Sequence, residues 1–210
     1  LGDVVGYGAD PNPCCDLIRE LGAVTLMGNH DAAVIGVMNT EYYYDAAREA
    51  LFWTRDILTP ENFRWLYSLP YTHRLDNLGF FHAAPLRPSG FYYVVSTTDA
   101  DRHRAAFDRL HEFNFVGHSH LTNVYAFTRE RAKDASNKAV AALAGAKWLI
   151  NVGSVGQPRD RDNRACFGLF DTETQRFQHV RVEYDIDSAA HKILHAGLHE
   201  KFARRLYFGV

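Results

Sequence analysis

Two stretches near the start of the chain set its fold class: Leu1-Gly2-Asp3-Val4-Val5-Gly6-Tyr7-Gly8, and Ala23-Val24-Thr25-Leu26-Met27-Gly28-Asn29-His30-Asp31. Between them, Asn12-Pro13 supplies an N-cap and a first-turn proline, Leu17, Ile18 and Leu21 share one apolar face, and Gly22 stops the segment. The pattern predicts a helix over 13–21. Ala23 to Met27 then reads as a short buried strand, and Gly2-Asp3 as the end of a strand whose body lies upstream. Strand, loop, helix, strand at this spacing is the βαβ order of an α/β sheet, in which ligands gather at the carboxyl ends of the strands. Asp3 and Asn29 both fall at such ends.

Outward from there, Tyr43 to Leu58 has helical period, and Thr59-Pro60-Glu61-Asn62 starts a second helix that ends before Leu69-Pro70. This helical segment, about 40–68, is expected to cover part of the sheet or form a small cap. Asp76-Asn77 between Tyr71–Leu75 and Leu78–His82 signals a hairpin, with His82 at its far end. Residues 99–111 read as a helix, Phe113–Val116 and Asn123–Phe127 as strands, and Arg129–Lys138 as a polar surface loop. Trp148–Asn151, Ala165–Asp171 and Phe177–Tyr184 are further strands, the last two antiparallel across Thr172–Gln175. Ser188 to Leu206 reads as one amphipathic helix.

A chain of 210 residues, 47% hydrophobic and 23% charged, can bury one large core, and no linker divides it. One domain over 1–210 is therefore expected. A net charge of −2 leaves no basic stripe for nucleic acid and no footprint for an anionic membrane. Three cysteines, two of them adjacent, make neither a disulfide framework nor a CxxC knuckle, and no apolar run reaches membrane length. A cytoplasmic protein is the simpler expectation. Histidine is the unusual component, with 11 residues.

Four short motifs carry chemistry: Gly2-Asp3, Gly28-Asn29-His30-Asp31, His82 after its hydrophobic strand, and Gly117-His118-Ser119-His120. Each has an ordinary alternative: a strand-end Asp as a turn residue, GNHD as a tight turn, His82 as a half-buried core histidine. In GHSH the glycine lets the backbone turn so that both imidazoles face one point, either as a metal site or as a plain turn. Asp31 either orients His30 or caps a helix over 32–37. Gly153, Ser154 and Gly156 in 151–160 offer backbone amides to an anion with Arg159 as phosphate partner; the alternative is a glycine-rich turn.

The joint order of these motifs, running from LGDVVGYG through GNHD and GHSH to NVGSVGQPRD, resembles the calcineurin-like metallophosphoesterase family, and within it the small bacterial and archaeal phosphodiesterase or diadenosine-tetraphosphatase-like members. The resemblance implies an α/β fold, an αββα sandwich of two mixed sheets flanked by helices. It further implies that Asp3 bridges two divalent transition-metal ions, that Asn29, His82 and His118 complete one shell, and that His120 joins the other. Imidazole, amide and carboxylate ligands suit Mn, Fe, Ni, Co or Zn, and Mn is the first expectation from the resemblance. A hydroxide bridging the metals would be the nucleophile, and His30 would stabilise or protonate the leaving group. The implied activity is hydrolysis of a small phosphodiester or nucleotide-type phosphate ester.

Two departures qualify this. The family's Asp-x-His at the end of the first strand is absent, which fits either a chain lacking roughly 30 N-terminal residues, about one strand-helix unit and the favoured reading, or a site that has lost its first metal. The Asp-x-His in view, Asp101-Arg102-His103, lies inside a predicted helix and is read as a decoy. Gly6 and Tyr7 stand where the family's protein phosphatases place an acidic residue and an arginine, so phosphoserine hydrolysis is disfavoured. Competing readings are an inactive scaffold for a protein partner and a nucleotide-binding sensor. Intact Asn29, His30, His118 and His120 argue against a scaffold, which needs none of them. Oligomeric state is not legible.

Overall fold

The computed structural model describes residues 1–136, 138–141 and 145–210. The chain forms two compact units, Leu1–Tyr71 with Asp185–Phe208, and Thr72–Tyr184 with Gly209–Val210. Among the described residues no helix is long and apolar enough to cross a membrane.

The first unit is helical: α1 (Pro11–Glu20), α2 (Asn29–Val34), α3 (Asp45–Ile57), α4 (Pro60–Tyr67), α6 (Ile186–His195) and α7 (Glu200–Phe208). Helix α1 starts earlier than predicted because Asp10 is its N-cap and Pro11 opens its first turn. Thr59 caps α4 as expected, its hydroxyl accepting from Asn62 N at 3.2 Å. Ala23–Met27, expected as a strand, has no ladder partner among the described residues; Met27 N donates instead to Pro70 O at 2.8 Å. The expected single C-terminal helix is two, because Gly197 takes φ 72° and turns the chain between α6 and α7. Ile193, Leu198, Phe202 and Leu206 meet there with Ala50 of α3, and Tyr7 packs against this core.

The second unit holds a six-stranded mixed sheet in the order β1 (Thr72–Leu75), β2 (Leu78–Phe81), β3 (Phe113–Val116), β6 (Lys147–Asn151), β4 (Val124–Phe127), β5 (Ala132–Asp134). Strands β2, β3 and β6 run parallel; the remaining pairs are antiparallel. The predicted hairpin forms with Leu75 opposite Leu78, and Asp76 takes the left-handed conformation its two-residue turn requires. Strand β5 lies inside the segment expected to be a loop, of which Asn137 is outside the described residues. Its Ala-Lys-Asp sequence is too short and polar to announce a strand, yet it pairs with β4 along the sheet edge. A second sheet is the antiparallel pair β7 (Ala165–Asp171) and β8 (Arg176–Val182).

The period-2 alternation of the strands builds two cores. Leu78, Phe113, Phe115, Val124, Trp148 and Ile150 face β7 and β8, where Phe170 and Phe177 pack on them, with ring centroids 4.8 Å apart for Phe113 and Phe170. Phe81, Val116, Tyr125, Phe127 and Leu149 face the other way, onto Ala100 and Phe107. Every residue of β3 is buried, as a strand covered on both faces must be.

Residues 99–111 do not form one α-helix. A short α5 (Thr97–Asp101) passes into a 3-10 segment, Arg102–Arg109, with a kink at Ala106. Asp101 binds Arg104 at 2.7 Å and His103 Nδ1 donates to Asp99 O at 2.9 Å, so the Asp-x-His side chains serve separate partners. His103 Nε2 is buried without a partner among the described residues, and burial pushes the His103 pKa below the ordinary imidazole value. The unfolded chain therefore takes up this proton more readily, so the stability contribution is full above about pH 6.5 and is lost as pH falls towards the folded value. Thermal denaturation at about pH 7.5 and about pH 5.5 is expected to show a larger drop in Tm for the wild type than for His103→Leu. Equal drops would contradict this assignment.

Candidate metal centre

In the second unit the parallel strands deliver the site. Register pairs Phe80 with Phe115 and Val116 with Asn151, so β2, β3 and β6 end side by side, and the next residues are His82, Gly117-His118 and Val152-Gly153. Gly117 N donates to His82 O at 2.8 Å and Val152 N to Val116 O at 2.9 Å, extending the ladder past the strand ends. His82 and His118 are both buried, and His82 Nε2 lies 3.2 Å from His118 Nδ1. Two nitrogens bound to one cation at about 2.0–2.1 Å would stand ~3 Å apart. The pair thus has the spacing of two ligands on one ion. Tyr93 stacks on His118 with centroids 3.9 Å apart, and Phe91 meets His82 edge-on at 5.8 Å.

His118 and His120 both take φ 60°, which curls the Gly-His-Ser-His loop. Ser119, between them, is held by Asn151, to whose Oδ1 its hydroxyl donates at 2.8 Å. Asn151 Nδ2 donates to Val94 O at 3.0 Å, and its own carbonyl faces His179 Nε2 at 2.7 Å. Burial pushes the His179 pKa down, which suits a neutral ring donating to that carbonyl. His120 Nδ1 faces Gln157 O at 2.6 Å. A carbonyl accepts only, so the hydrogen sits on Nδ1; in the neutral ring that leaves the lone pair on Nε2, the tautomer a metal-binding histidine needs.

The loop after β6 is shaped by Gly153 at φ 86°, where a Cβ would lie 2.6 Å from Cys166 Sγ. The Ser154 hydroxyl accepts from Gln157 N at 3.0 Å, closing the turn. Arg159 is half-buried; its Nη2 donates to Gln157 Oε1 at 2.9 Å, and its Nε is buried without a partner among the described residues. Arg181 pairs with Asp160 and, at 3.7 Å, with Asp162, tying the loop to β8. The Arg164 guanidinium beside Asp162 holds that carboxyl down to about 2.

In the first unit Asp3, Asn29, His30 and Asp31 form a second cluster. Asp31 is fully buried: Oδ2 accepts from Asp3 N at 2.7 Å and Gly28 N at 2.9 Å, and Oδ1 from Val5 N at 3.2 Å. It caps α2 from the third helical position rather than from the N-cap, which is Gly28, and the helix runs Asn29–Val34 instead of 32–37. The same carboxylate fastens the Asp3 loop to α2. Asp3 Oδ1 in turn accepts from His30 N at 2.9 Å. A Cβ on Gly28 would lie 2.1 Å from Asp3 Oδ1, so only glycine lets the aspartate settle there.

His30 is buried between two rings met edge-on, Tyr7 at 4.5 Å and Tyr43 at 5.5 Å, and Tyr7 stacks on Phe202 at 4.4 Å. Asn29 Nδ2 donates to the Tyr43 hydroxyl at 2.5 Å. The sequence reading named neither tyrosine as a partner of the GNHD motif; Tyr7 stood out there only as a replacement for an arginine, and Tyr43 only as the start of a helical stretch.

No family model matches the chain. Over its whole length it is 32% identical to a metallophosphoesterase from Sphaerobacter thermophilus, superposing with a TM-score of 0.81 and covering 100% of this chain and 86% of that one. The chain belongs to the calcineurin-like metallophosphoesterase family. This metallophosphoesterase is also 36% identical over 213 residues to the uncharacterized protein MJ0912 of Methanocaldococcus jannaschii, covering 100% of its own length and 85% of that protein. The hypothetical protein PH1004 of Pyrococcus horikoshii shares the fold with a TM-score of 0.77 at 19% identity, over 100% of this chain and 83% of that one. As a metallophosphoesterase, the protein is a metal-dependent hydrolase of phosphate esters, and its buried imidazole pair fits the divalent metal that such chemistry requires.

Proposed function

We propose that this metallophosphoesterase hydrolyses a small phosphodiester or nucleotide-type phosphate ester at a pair of divalent cations, manganese before Fe, Ni, Co or Zn, in the cytoplasm. The observation that carries the reading is the 3.2 Å approach of His82 Nε2 and His118 Nδ1 at the ends of parallel strands. Asp3, His82 and His118 are the proposed holders of one ion, the Asp3 carboxylate having two oxygens with which to bridge to a second. Asn29 adds an amide oxygen to the ion held by His82 and His118, and His120 serves the other ion through Nε2. When bound, such a pair clamps the attacking and leaving oxygens and brings the pKa of water towards about 7.

The remaining steps fall to the chain's own groups. His30 holds the proton for the leaving oxygen, in an orientation set by Tyr7, Tyr43 and its backbone bond to Asp3. Arg159 neutralises charge on the non-bridging phosphate oxygens, and Ser154, whose lone pair is taken by Gln157 N, turns its hydroxyl hydrogen to the same phosphate. Tyr7, standing where the family's protein phosphatases carry an arginine, packs on His30 and Phe202 rather than presenting a charge, which supports a small ester over phosphoserine.

The full-length protein with added Mn²⁺ is expected to release nitrophenolate from bis-p-nitrophenyl phosphate faster than from p-nitrophenyl phosphate, and to lose that activity to EDTA. Turnover of neither ester with any divalent metal would favour the scaffold reading instead.

A further inference from the structure

We propose that Tyr43 is a positioning residue of the metal centre, one that fixes which atom of the Asn29 amide faces the cation. The proposal rests on the reading of Asn29 as a ligand. An amide binds a metal through oxygen, because the nitrogen lone pair is delocalised into the carbonyl and both its hydrogens point outward. A side chain free to rotate by half a turn would offer the wrong end as readily as the right one. The Tyr43 hydroxyl removes that freedom. Its hydrogen has two acceptors beside it, Asn29 O at 3.2 Å and Met38 Sδ at 3.8 Å. With the hydrogen spent on either, the phenol oxygen presents lone pairs, and only the Nδ2 end of Asn29 can answer them, at 2.5 Å. Oδ1 is then directed away from Tyr43.

The same ring does a second task. It meets His30 edge-on, at 5.5 Å and 75°, on a ring that Tyr7 also meets edge-on, at 4.5 Å and 73°. One side chain therefore sets neighbouring members of the Gly-Asn-His-Asp motif, and Tyr43→Phe separates the two tasks, since it removes the hydroxyl and keeps the ring. Outer groups that orient metal ligands are worth about 10- to 100-fold in affinity.

Isothermal titration with Mn²⁺ alone is expected to show Tyr43→Phe binding about 10- to 100-fold more weakly than wild type. Asn29→Asp supplies a carboxylate, whose two oxygens are equivalent under rotation and need no orienting hydroxyl. On that background Tyr43→Phe is expected to change affinity by less than about threefold. Wild-type affinity in Tyr43→Phe would overturn the proposal and leave the phosphoesterase reading standing. So would an equal loss in both backgrounds, which is what general damage to folding produces. A wild-type protein that takes up none of Mn²⁺, Fe²⁺, Ni²⁺, Co²⁺ and Zn²⁺ would sink both.

Discussion

His118→Ala is expected to lower kcat on bis-p-nitrophenyl phosphate by about 10³-fold or more, about 4 kcal/mol of transition-state stabilisation, and to let Mn²⁺ wash out on gel filtration. The size follows from the pairing with His82. At 3.2 Å, two buried imidazole nitrogens facing one another share a cation or a single hydrogen. Removing one strips the proposed ion of one of its two imidazoles, and of the ring on which Tyr93 stacks. The loss falls on the metal and so on the chemical step, not on substrate binding alone, and kcat drops with kcat/KM. His103→Ala is the control: its ring contacts Asp99 O on a separate segment, so stability falls while Mn²⁺ content and kcat stay. Metal analysis and initial rates on the two variants decide this, and equal losses in both would mean that the ligand assignment is wrong.

Asp31→Asn is expected to cost about 3 kcal/mol of stability and to weaken Mn²⁺ binding as well. Both oxygens of Asp31 accept from backbone: Oδ2 from Asp3 and Gly28, Oδ1 from Val5. An asparagine keeps one acceptor at most. Whichever way its amide is turned, the NH₂ group confronts at least one backbone N–H that has no water to turn to, because the carboxylate it replaces is fully buried. The lost charge weakens the bonds that remain. Since one of those donors is the backbone of Asp3, loosening it also loosens the proposed bridging carboxylate. Urea denaturation in EDTA should move to a midpoint lower by about 1 M or more, with unchanged slope. An unchanged midpoint would show that Asp31 does not hold this loop.

Much of the candidate site was legible because its residues fall at turns that follow apolar runs. The hairpin around Asp76-Asn77 and the strands 113–116 and 148–151 carried enough hydrophobic signal to place His82 and His118 at strand ends, and β2, β3 and β6 lie side by side there. What escaped was nonlocal. Whether Ala23–Met27 joins a sheet depends on a neighbour, and composition within the segment carries no record of one. Gly197 reads as a tolerable helix residue until its left-handed conformation is seen to split 188–206 into two packed helices. The role of Asp31 was half legible: a cap was expected, but the two further backbone donors come from residues 26 and 28 positions away. Tyr43 was hidden for a similar reason, because nothing in Tyr42-Tyr43-Tyr44 marks the middle ring as the one that turns inward to Asn29.

The account depends on one carboxylate and two imidazoles, far apart in sequence, meeting at a shared cation. Crystals grown with Mn²⁺ and measured at its absorption edge test this most directly. The anomalous map should carry a peak within about 2.0–2.3 Å of an Asp3 carboxylate oxygen, His82 Nε2 and His118 Nδ1 together. A fully loaded crystal whose manganese peaks avoid Asp3, or touch neither histidine, would contradict it.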